Sequence, residues 1–272
     1  MKIIHVVRRF GPVGGMERYV YEIVLAQLRM GYDVAVICEE IFCDAPQSII
    51  VHKVTRSRPR PRWFALFRFS QRVLYWLDSN PHPGWIVHSH ERLSLHNITT
   101  FHGQPFATIF ERSWLRLLSL RVAMHLFLER RELSIPDVVV PNSELTRHQL
   151  LSCYPQFKSH ITKPILPGVS CTIVRTERQV DELAGVIAFV GTEWRRKGLV
   201  FAAKIVEQLR KKRPLLMFVV VGPNPDTIKH LFSSWTGGYK LLGWTDKPSY
   251  SHFDVLLHPA KIEPYGMVVT EA

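Results

Sequence analysis

The chain has 272 residues, of which 46% are apolar, and carries a formal net charge of +12. It is long enough for two domains with sizeable cores, and none of its apolar runs approaches the roughly 18 residues that a membrane-spanning helix needs. The N-terminal apolar segment, Lys2 to Val7, is too short for the core of a signal peptide. The excess of positive charge favours anionic partners: phosphorylated substrates, acidic membrane surfaces or nucleic acid.

The cysteines indicate a compartment. Cys38, Cys43, Cys153 and Cys171 show no Cys-x-x-Cys spacing, a pattern typical of free thiols in a reducing environment. We therefore expect a cytoplasmic protein.

The first elements predict a parallel α/β domain. An apolar strand ends at Val7, and the glycines Gly14 and Gly15 precede a helix that extends to about Met30. A second strand follows over Asp33 to Cys38. The two glycines would let the backbone approach a ligand at the helix N-terminus.

An arginine-rich stretch without any acidic residue follows the third predicted strand, Ile49 to Val54. It contains Arg56, Arg58, Arg60, Arg62, Arg68 and Arg72, interleaved with aromatic residues. Prolines predict an exposed loop for its first half, and its second half begins an amphipathic helix that ends near Asp78. One interpretation is a solvated basic loop ahead of a core helix. The other is an interfacial patch for anionic lipid head groups or a phosphorylated acceptor. No recognition motif supports nucleic acid.

Histidines mark the ends of two further predicted strands. His88 and His90 would face one side of a strand end, but no third ligand has a suitable spacing, so satisfied or solvent-facing histidines are favoured over a metal site. His102 ends a strand that begins at Ile98 and is followed by Gly103. This places His102 at the carboxyl edge of the sheet, where α/β proteins bind ligands, although a structural role is an alternative.

The rest of the chain predicts a second domain. The first domain is completed by one or two helices over Ile109 to Ser134, a strand over Asp137 to Val140 and a helix to about Ser152. Prolines and a polar stretch then indicate a boundary, so we expect domains over residues 1–166 and 167–272.

A basic turn follows the first strand of the second domain, Val186 to Val190. Arg195, Arg196 and Lys197 stand just before a helix. Positive side chains at a helix N-terminus are unfavourable unless an anion offsets them. The turn therefore predicts a phosphate site.

The last stretch combines two carboxylates with a helix start. A buried strand over Asp254 to His258 is expected to lead into a loop with Glu263, and Gly266 opens a helix that contains Glu271. Amides near Gly266 and Met267 would favour an anion. The carboxylates would repel phosphate and suit hydroxyl groups, so the stretch predicts a nucleotide-sugar pocket.

Together these motifs resemble the retaining glycosyltransferases of family 4, which have the GT-B fold. The resemblance spans the chain and rests on Gly14-Gly15, His102-Gly103, the Arg-Arg-Lys-Gly turn at 195–198, Gly243-Trp244, and two glutamates separated by seven residues. It implies an α/β fold in which two Rossmann-like domains face a cleft. The domain over 1–166 would bind the acceptor, and the domain over 167–272 would bind the nucleotide sugar.

The resemblance also implies residue roles. Arg196 and Lys197 would grip the donor diphosphate, and His102 would contact the sugar near its reacting carbon. Glu263 would hold the transferred sugar and Glu271 the ribose. The other implied donor-binding residues are Gly14, Gly15, Arg195, Gly243, Trp244, Tyr265, Gly266 and Met267.

The implied activity is retaining transfer of a hexose-type sugar to an envelope glycan or lipopolysaccharide-core acceptor. No cofactor or metal is expected, since the chain has no Asp-x-Asp triplet, and no nucleic-acid partner. An anionic glycolipid or polysaccharide acceptor implies peripheral contact with the inner membrane. Because the family continues beyond the position of Ala272, the second domain is expected to be incomplete. A truncated, non-catalytic nucleotide- or phosphate-binding remnant is therefore the alternative. A nicotinamide dehydrogenase, with Glu39 or Glu40 on the ribose, is a third hypothesis that the glycine spacing disfavours.

Overall fold

The computed structural model describes residues 1–56, 60–111, 119–168, 181, 183–245 and 248–272. The chain divides into two compact units, unit 1 over Met1–Pro167 and unit 2 over Gly168–Ala272. The boundary expected from the sequence lies one residue earlier. No helix in the described part of the chain is both long and apolar enough to cross a membrane.

Unit 1 alternates strands and helices. Its strands are β1 (Lys2–Val6), β2 (Arg9–Phe10), β3 (Asp33–Cys38), β4 (Glu40–Ile41), β5 (Ile50–Lys53), β6 (Trp85–Ser89), β7 (Ile98–Phe101) and β8 (Val138–Pro141). Its α-helices are α1 (Gly15–Arg29), α2 (Arg62–Ser79), α3 (Leu120–Ser134) and α4 (Glu144–Cys153), with 3-10 turns over Phe106–Glu111 and Pro155–Phe157.

Six of these strands form one parallel sheet in the order β5-β3-β1-β6-β7-β8, and β2 and β4 form a separate pair. The register places His5 of β1 directly opposite His88 of β6. Because all six strands are parallel, the residues that follow β1, β6 and β7 meet at one carboxyl edge of the sheet.

Helices cover both faces of this sheet. Ile4 and Val6 pack with Phe69 of α2 on one face, and Val36 packs with Val20 of α1 on the other. A strand covered on both faces is apolar throughout rather than alternating, which is why the near-continuous apolar run of β3 allowed its bounds to be predicted.

Unit 2 repeats the pattern on a smaller scale. Its strands are β9 (Val186–Val190), β10 (Met217–Val221), β11 (Tyr239–Gly243) and β12 (Val255–Leu256), and its α-helices are α5 (Leu199–Lys212), α6 (Pro225–Ile228) and α7 (Met267–Glu271). Two 3-10 turns span Lys229–Phe232 and Tyr250–His252. The four strands form a parallel sheet in the order β11-β10-β9-β12, with Phe189, Ala202 and Phe218 in its core.

One predicted element of unit 2 is wrong in extent. The buried strand expected over Asp254 to His258 is only the two-residue β12, and Val255 is 54% exposed. Among the strands that the structure describes, β12 lies at the sheet edge and pairs only with β9. Between β10 and β11, the helical segment is divided into α6 and a 3-10 turn.

The described cysteines Cys38, Cys43 and Cys153 are free thiols. Cys171 lies outside the described residues, as do residues 112–118, which fall between the 3-10 turn at Phe106–Glu111 and α3. The segment predicted as one or two helices over Ile109 to Ser134 is thus described only at its two ends.

Candidate functional site

His102 lies at the carboxyl edge of the unit 1 sheet, directly after β7, where it was predicted. The residue as a whole is partly exposed. Asn142, which follows β8, donates its side-chain amide to the His102 carbonyl at 3.0 Å and its backbone amide to Phe101 at 3.2 Å. The backbone of His102 is therefore held from the neighbouring strand.

His102 is the outer member of a hydrogen-bonded series of imidazoles. Its Nε2 lies 3.0 Å from Nδ1 of His90, and His90 Nε2 lies 3.0 Å from Nδ1 of His5. His5 Nε2 in turn lies 2.7 Å from the side-chain oxygen of Gln27 on α1. We call Gln27, His5, His90 and His102 the histidine chain.

Burial keeps these imidazoles neutral. It lowers the pKa of His5 from 6.5 to about 4 against the opposing Gln27 hydrogen bond, and the pKa of His102 to about 3. The pKa of His90 falls well below 6.5 through burial and then through the adjacent histidines. Neutral imidazole carries one donor and one acceptor nitrogen, so each ring can link two neighbours.

His88 stands beside this chain. Its Nε2 lies 2.8 Å from the Thr100 hydroxyl, and burial lowers its pKa well below 6.5. The sequence offered no third metal ligand for His88 and His90, but the structure supplies one from β1. Among the described residues, His5, His88 and His90 each offer a nitrogen within 4.8 Å of the others.

The glycines of the first loop accommodate a glutamate. Gly14 caps α1 in an extended conformation, and a Cβ atom there would overlap the carboxylate of Glu17. Glu17 is buried and pairs with Arg9. Gly15 begins α1 and is exposed.

A buried carboxylate organises the loop after His102. Glu129 of α3 is 0% exposed and accepts hydrogen bonds from Arg92 at 2.7 Å, Tyr154 at 2.8 Å and the backbone amides of Phe106 and Ala107 at 2.6 and 3.0 Å. A buried carboxylate is stable only when it is paired and hydrogen-bonded in this way.

In unit 2, three cationic or basic side chains surround Glu263. Its Oε2 lies 3.4 Å from Nη1 of Arg196, 3.8 Å from Nζ of Lys197 and 3.2 Å from Nε2 of His258. We call these four residues the Glu263 cluster.

The Glu263 cluster is electrostatically coupled. Burial lowers the pKa of Lys197, while the negative charge of Glu263 opposes that change. Burial also lowers the pKa of His258, followed by repulsion from Lys197. Arg196 has a second partner, Glu193, at 2.8 Å.

Close backbone contact positions this cluster. Gly198, at the start of α5, has φ +82°, and a Cβ atom there would lie 2.6 Å from the carbonyl oxygen of Pro259. Only glycine combines that conformation with that approach. The turn with Lys197 is thereby held against the loop with His258.

The second carboxylate lies elsewhere on the same stretch. Glu271 of α7 accepts a hydrogen bond from the Tyr250 hydroxyl at 2.7 Å. Gly266 precedes α7 with φ +83°, and a Cβ atom there would lie 3.3 Å from Cγ of Glu263. Tyr265 and Met267 flank this glycine and are partly exposed.

Three other predicted donor-binding residues are outside the Glu263 cluster. Arg195 lies over the ring of Trp194, 4.8 Å from its centroid. Gly243 ends β11, where its carbonyl accepts from the Gly222 amide at 2.6 Å. Trp244 follows it and is 57% exposed.

The arginine-rich stretch is only partly free. Arg56 pairs with Glu40 at 2.9 Å, and Arg72 donates to the Thr55 carbonyl. Arg60, Arg62 and Arg68 are exposed, and Arg58 lies outside the described residues.

Sequence reasoning missed His5, His258 and Glu129. His258 directly precedes a proline at the predicted strand end, and that position was a usable signal. His5 and Glu129 carried no local signal, because their partners are 85 and 37 residues away at His90 and Arg92.

Two family models match the chain. The model described as Glycosyltransferase Family 4 matches residues 13–172, and the model described as Glycosyl transferases group 1 matches residues 184–272. Comparison with curated protein sequences finds no match.

Several solved structures are similar to the chain. Against WaaG, a glycosyltransferase involved in lipopolysaccharide biosynthesis, the identity is 17%, the coverage is 99% of this chain and 78% of that one, and the TM-score is 0.85. Sucrose-phosphate synthase from Thermosynechococcus elongatus is 15% identical, with 99% and 78% coverage and a TM-score of 0.76. The catalytic domain of starch synthase IV from Arabidopsis thaliana is 13% identical, with 97% and 79% coverage and a TM-score of 0.67. These likenesses confirm the predicted fold class.

Proposed function

The chain belongs to glycosyltransferase family 4, and we propose that it transfers a hexose-type sugar from a nucleotide-sugar donor to an envelope glycan, with retention of configuration and without a metal. The observation that carries the donor assignment is the Glu263 cluster, which combines two fixed cations with one carboxylate at a single point.

The cations suit the leaving group. During transfer, the bond between the sugar C1 atom and the diphosphate oxygen breaks, and negative charge grows on the diphosphate. Arg196 and Lys197 would stabilise that charge more in the transition state than in the ground state. Because both cations belong to the protein, no metal is required for this role.

The carboxylate suits the sugar. Glu263 repels phosphate but accepts hydrogen bonds from hydroxyl groups, so we assign it to the transferred sugar, next to the diphosphate. Glu271 is assigned to the ribose, and exposed Trp244 to the base, since aromatic rings stack on bases of any type. His102 of unit 1 is assigned to the sugar.

Retention needs no protein nucleophile in this proposal. The acceptor oxygen bonds to C1 on the face that the diphosphate leaves, and its proton passes to a diphosphate oxygen. The protein's part is to orient the donor and to stabilise the departing charge.

The acceptor is proposed to be an anionic glycolipid or polysaccharide of the lipopolysaccharide-core type. The similarity to WaaG and the net charge of +12 support this class. On α2, Phe64, Arg68, Gln71 and Tyr75 form one exposed stripe, because residues spaced by three and four share a helix face. A stripe of aromatic and cationic side chains suits the cytoplasmic surface of the inner membrane.

Donor turnover tests the proposal. The purified chain would be incubated with UDP-, ADP-, GDP- and TDP-sugars, with lipopolysaccharide-core extract as acceptor, and nucleoside diphosphate release would be measured. We expect release from one of these donor classes, unchanged by EDTA. Nucleotide binding without release would instead identify a non-catalytic remnant, and loss of release with EDTA would contradict metal independence.

Membrane contact is tested separately by sedimentation with vesicles. Phosphatidylglycerol vesicles should retain the chain and phosphatidylcholine vesicles should not, and Arg68→Gln should weaken retention. Equal weak binding to both vesicles would remove the membrane part of the proposal.

A further inference from the structure

The histidine chain contains three contacts between four side chains. These are Gln27 Oε1 to His5 Nε2 at 2.7 Å, His5 Nδ1 to His90 Nε2 at 3.0 Å, and His90 Nδ1 to His102 Nε2 at 3.0 Å. All three distances are those of hydrogen bonds. Each contact therefore needs one proton between its two atoms.

The amide oxygen of Gln27 sets the direction of all three bonds. An amide oxygen only accepts, so His5 carries its proton on Nε2 and leaves Nδ1 bare. His90 must then donate from Nε2, which leaves its own Nδ1 bare. By the same step, His102 must donate from Nε2.

Burial prevents the chain from carrying an extra proton. His5 and His90 are 0% and 4% exposed, and a charged imidazole in such a place is disfavoured. An additional proton on Nδ1 of His5 or of His90 would also turn one contact into two N–H groups facing each other across 3.0 Å. On the outer Nδ1 of His102 no such clash arises, but burial lowers the pKa of that ring to about 3. Three neutral rings with three protons satisfy the three contacts.

A metal ion fits these distances less well. Imidazole ligands of a tetrahedral zinc site have their nitrogens about 3.3 Å apart, given zinc–nitrogen bonds of about 2.0 Å. The His5 Nδ1–His90 Nε2 distance of 3.0 Å is shorter than that and is the length of an N–H···N hydrogen bond, and His88 already has Thr100 as its partner.

We propose that Gln27, His5 and His90 are positioning residues that lock His102 in the tautomer with a bare Nδ1, which accepts a hydrogen bond from a sugar hydroxyl group. The role of the acceptor nitrogen rests on the proposed function. The tautomer of His102 does not depend on the proposed function. His102 is the partly exposed end of the chain, whereas His5 and His90 are buried, so the direction set at α1 is delivered to the one ring that a ligand can reach.

Substitutions of Gln27 can keep or remove the acceptor that sets the direction of the chain. Gln27→Glu keeps an acceptor in place, so it should keep the direction of the chain. Gln27→Leu removes the acceptor, so the reversed chain becomes accessible. Gln71→Leu is the matched control, because it makes the same change at an exposed position on α2.

Nitrogen-15 NMR of histidine-labelled, metal-free protein reads the tautomers directly, since protonated and bare ring nitrogens have different chemical shifts. His5→Asn, His90→Asn and His102→Asn assign the signals by their disappearance. We expect His5, His90 and His102 to be protonated on Nε2 in the wild type, Gln27→Glu and Gln71→Leu. In Gln27→Leu we expect both tautomers of His102.

Three results would overturn the inference: a proton on Nδ1 of wild-type His102, unchanged tautomers in folded Gln27→Leu, or a joint shift of His5, His88 and His90 with one equivalent of Zn²⁺. These spectra need no substrate, so an inactive protein with the expected tautomers would count against the proposed function only. In active protein, Gln27→Leu should lower kcat about two-fold or more, because only a fraction of molecules is competent, while Gln27→Glu restores it.

Discussion

The two sheet edges with predicted site residues differ in how they treat polar groups. In unit 1, Glu129 is 0% exposed and His5, His90 and His102 are neutral and bonded to one another. In unit 2, the side chains of Glu263 and Arg196 are charged and 20% and 41% exposed. At the unit 1 edge these side chains make their hydrogen bonds within the protein, apart from the outer Nδ1 of His102, whereas the unit 2 edge carries charges that solvent and ligands can reach.

This difference indicates that the unit 1 side chains hold the structure in place and that the unit 2 charges are available to bind ligands. Buried groups that make all their hydrogen bonds within the protein have none left for a ligand, so changing them costs stability. The pair between Arg196 and Glu263 is partly exposed, and such pairs contribute little to stability, so we expect a diphosphate to replace Glu263 as the partner of Arg196 at small cost. We therefore expect substitutions in unit 1 to affect folding most and substitutions in the Glu263 cluster to affect ligands most.

The largest effect is expected for Glu129→Gln. Loss of the charge leaves Arg92, whose side chain is only 17% exposed, beside a neutral amide with Glu132 at 3.6 Å as its remaining partner. This should lower the free energy of unfolding by about 3 kcal/mol. Urea unfolding followed by circular dichroism measures this. The control is Glu144→Gln, whose side chain is 74% exposed in its pair with Arg147 and should cost less than about 1 kcal/mol. Equal losses would contradict the contrast between buried and exposed pairs.

Lys197→Ala should act on turnover instead. A charge-assisted hydrogen bond contributes about 1.5–3 kcal/mol, which corresponds to a roughly 10- to 100-fold fall in nucleoside diphosphate release. Lys204→Ala is the control, because it makes the same change at an exposed position on α5. A melting temperature that falls together with activity would show that Lys197 supports folding rather than the ligand.

The pH dependence of stability tests whether the histidines at the unit 1 sheet edge are neutral. The pKa of His5 is lowered from 6.5 to about 4. The stability that neutral His5 contributes is therefore fully present above pH 6.5 and is lost as the pH falls toward 4. The pKa of Glu132 is raised by burial to about 8, so Glu132 destabilises the fold as the pH rises.

Comparison with His5→Asn isolates the histidine, since Glu132 is common to both proteins. Between pH 6.5 and 4, the wild type should lose up to about 1.4 kcal/mol more per pH unit than His5→Asn. Denaturant unfolding at a series of pH values measures the two slopes. Parallel slopes would mean that His5 is not held neutral.

The smallest effect is expected for Glu193→Gln. The pair between Glu193 and Arg196 is exposed, with side chains 67% and 41% accessible, so its loss should change stability by less than about 1 kcal/mol. Because Arg196 loses a competing partner, nucleotide affinity should rise slightly. Weaker nucleotide binding by titration calorimetry would show that Glu193 orients Arg196.

Sequence patterns predicted the interior strands well and β12, one of the edge strands, badly. Asp33 to Cys38 and Val186 to Val190 were predicted with the bounds that the structure has, because strands covered on both faces are continuous apolar runs. Val255 and Leu256 carry the same kind of apolar residues, but periodicity does not report which strand lies at an edge.

The candidate site was predictable where its residues are close in sequence. The turn at Arg196 and Lys197 and the loop at Glu263 each carried a local motif, although their contact depends on the pairing of β9 with β12. The link from Gln27 through His5 and His90 to His102 had no such signal. It depends on strand order, which places residues 85 positions apart within 3.0 Å.

The central claim is that the Glu263 cluster binds the diphosphate of the donor. Titration calorimetry with UDP, ADP, GDP and TDP on the wild type, Lys197→Ala and Lys204→Ala tests it most directly. The account predicts that at least one nucleoside diphosphate binds, that Lys197→Ala weakens it at least about ten-fold, and that Lys204→Ala leaves it unchanged. Absence of binding for all four, or equal affinity in the two lysine variants, would contradict it.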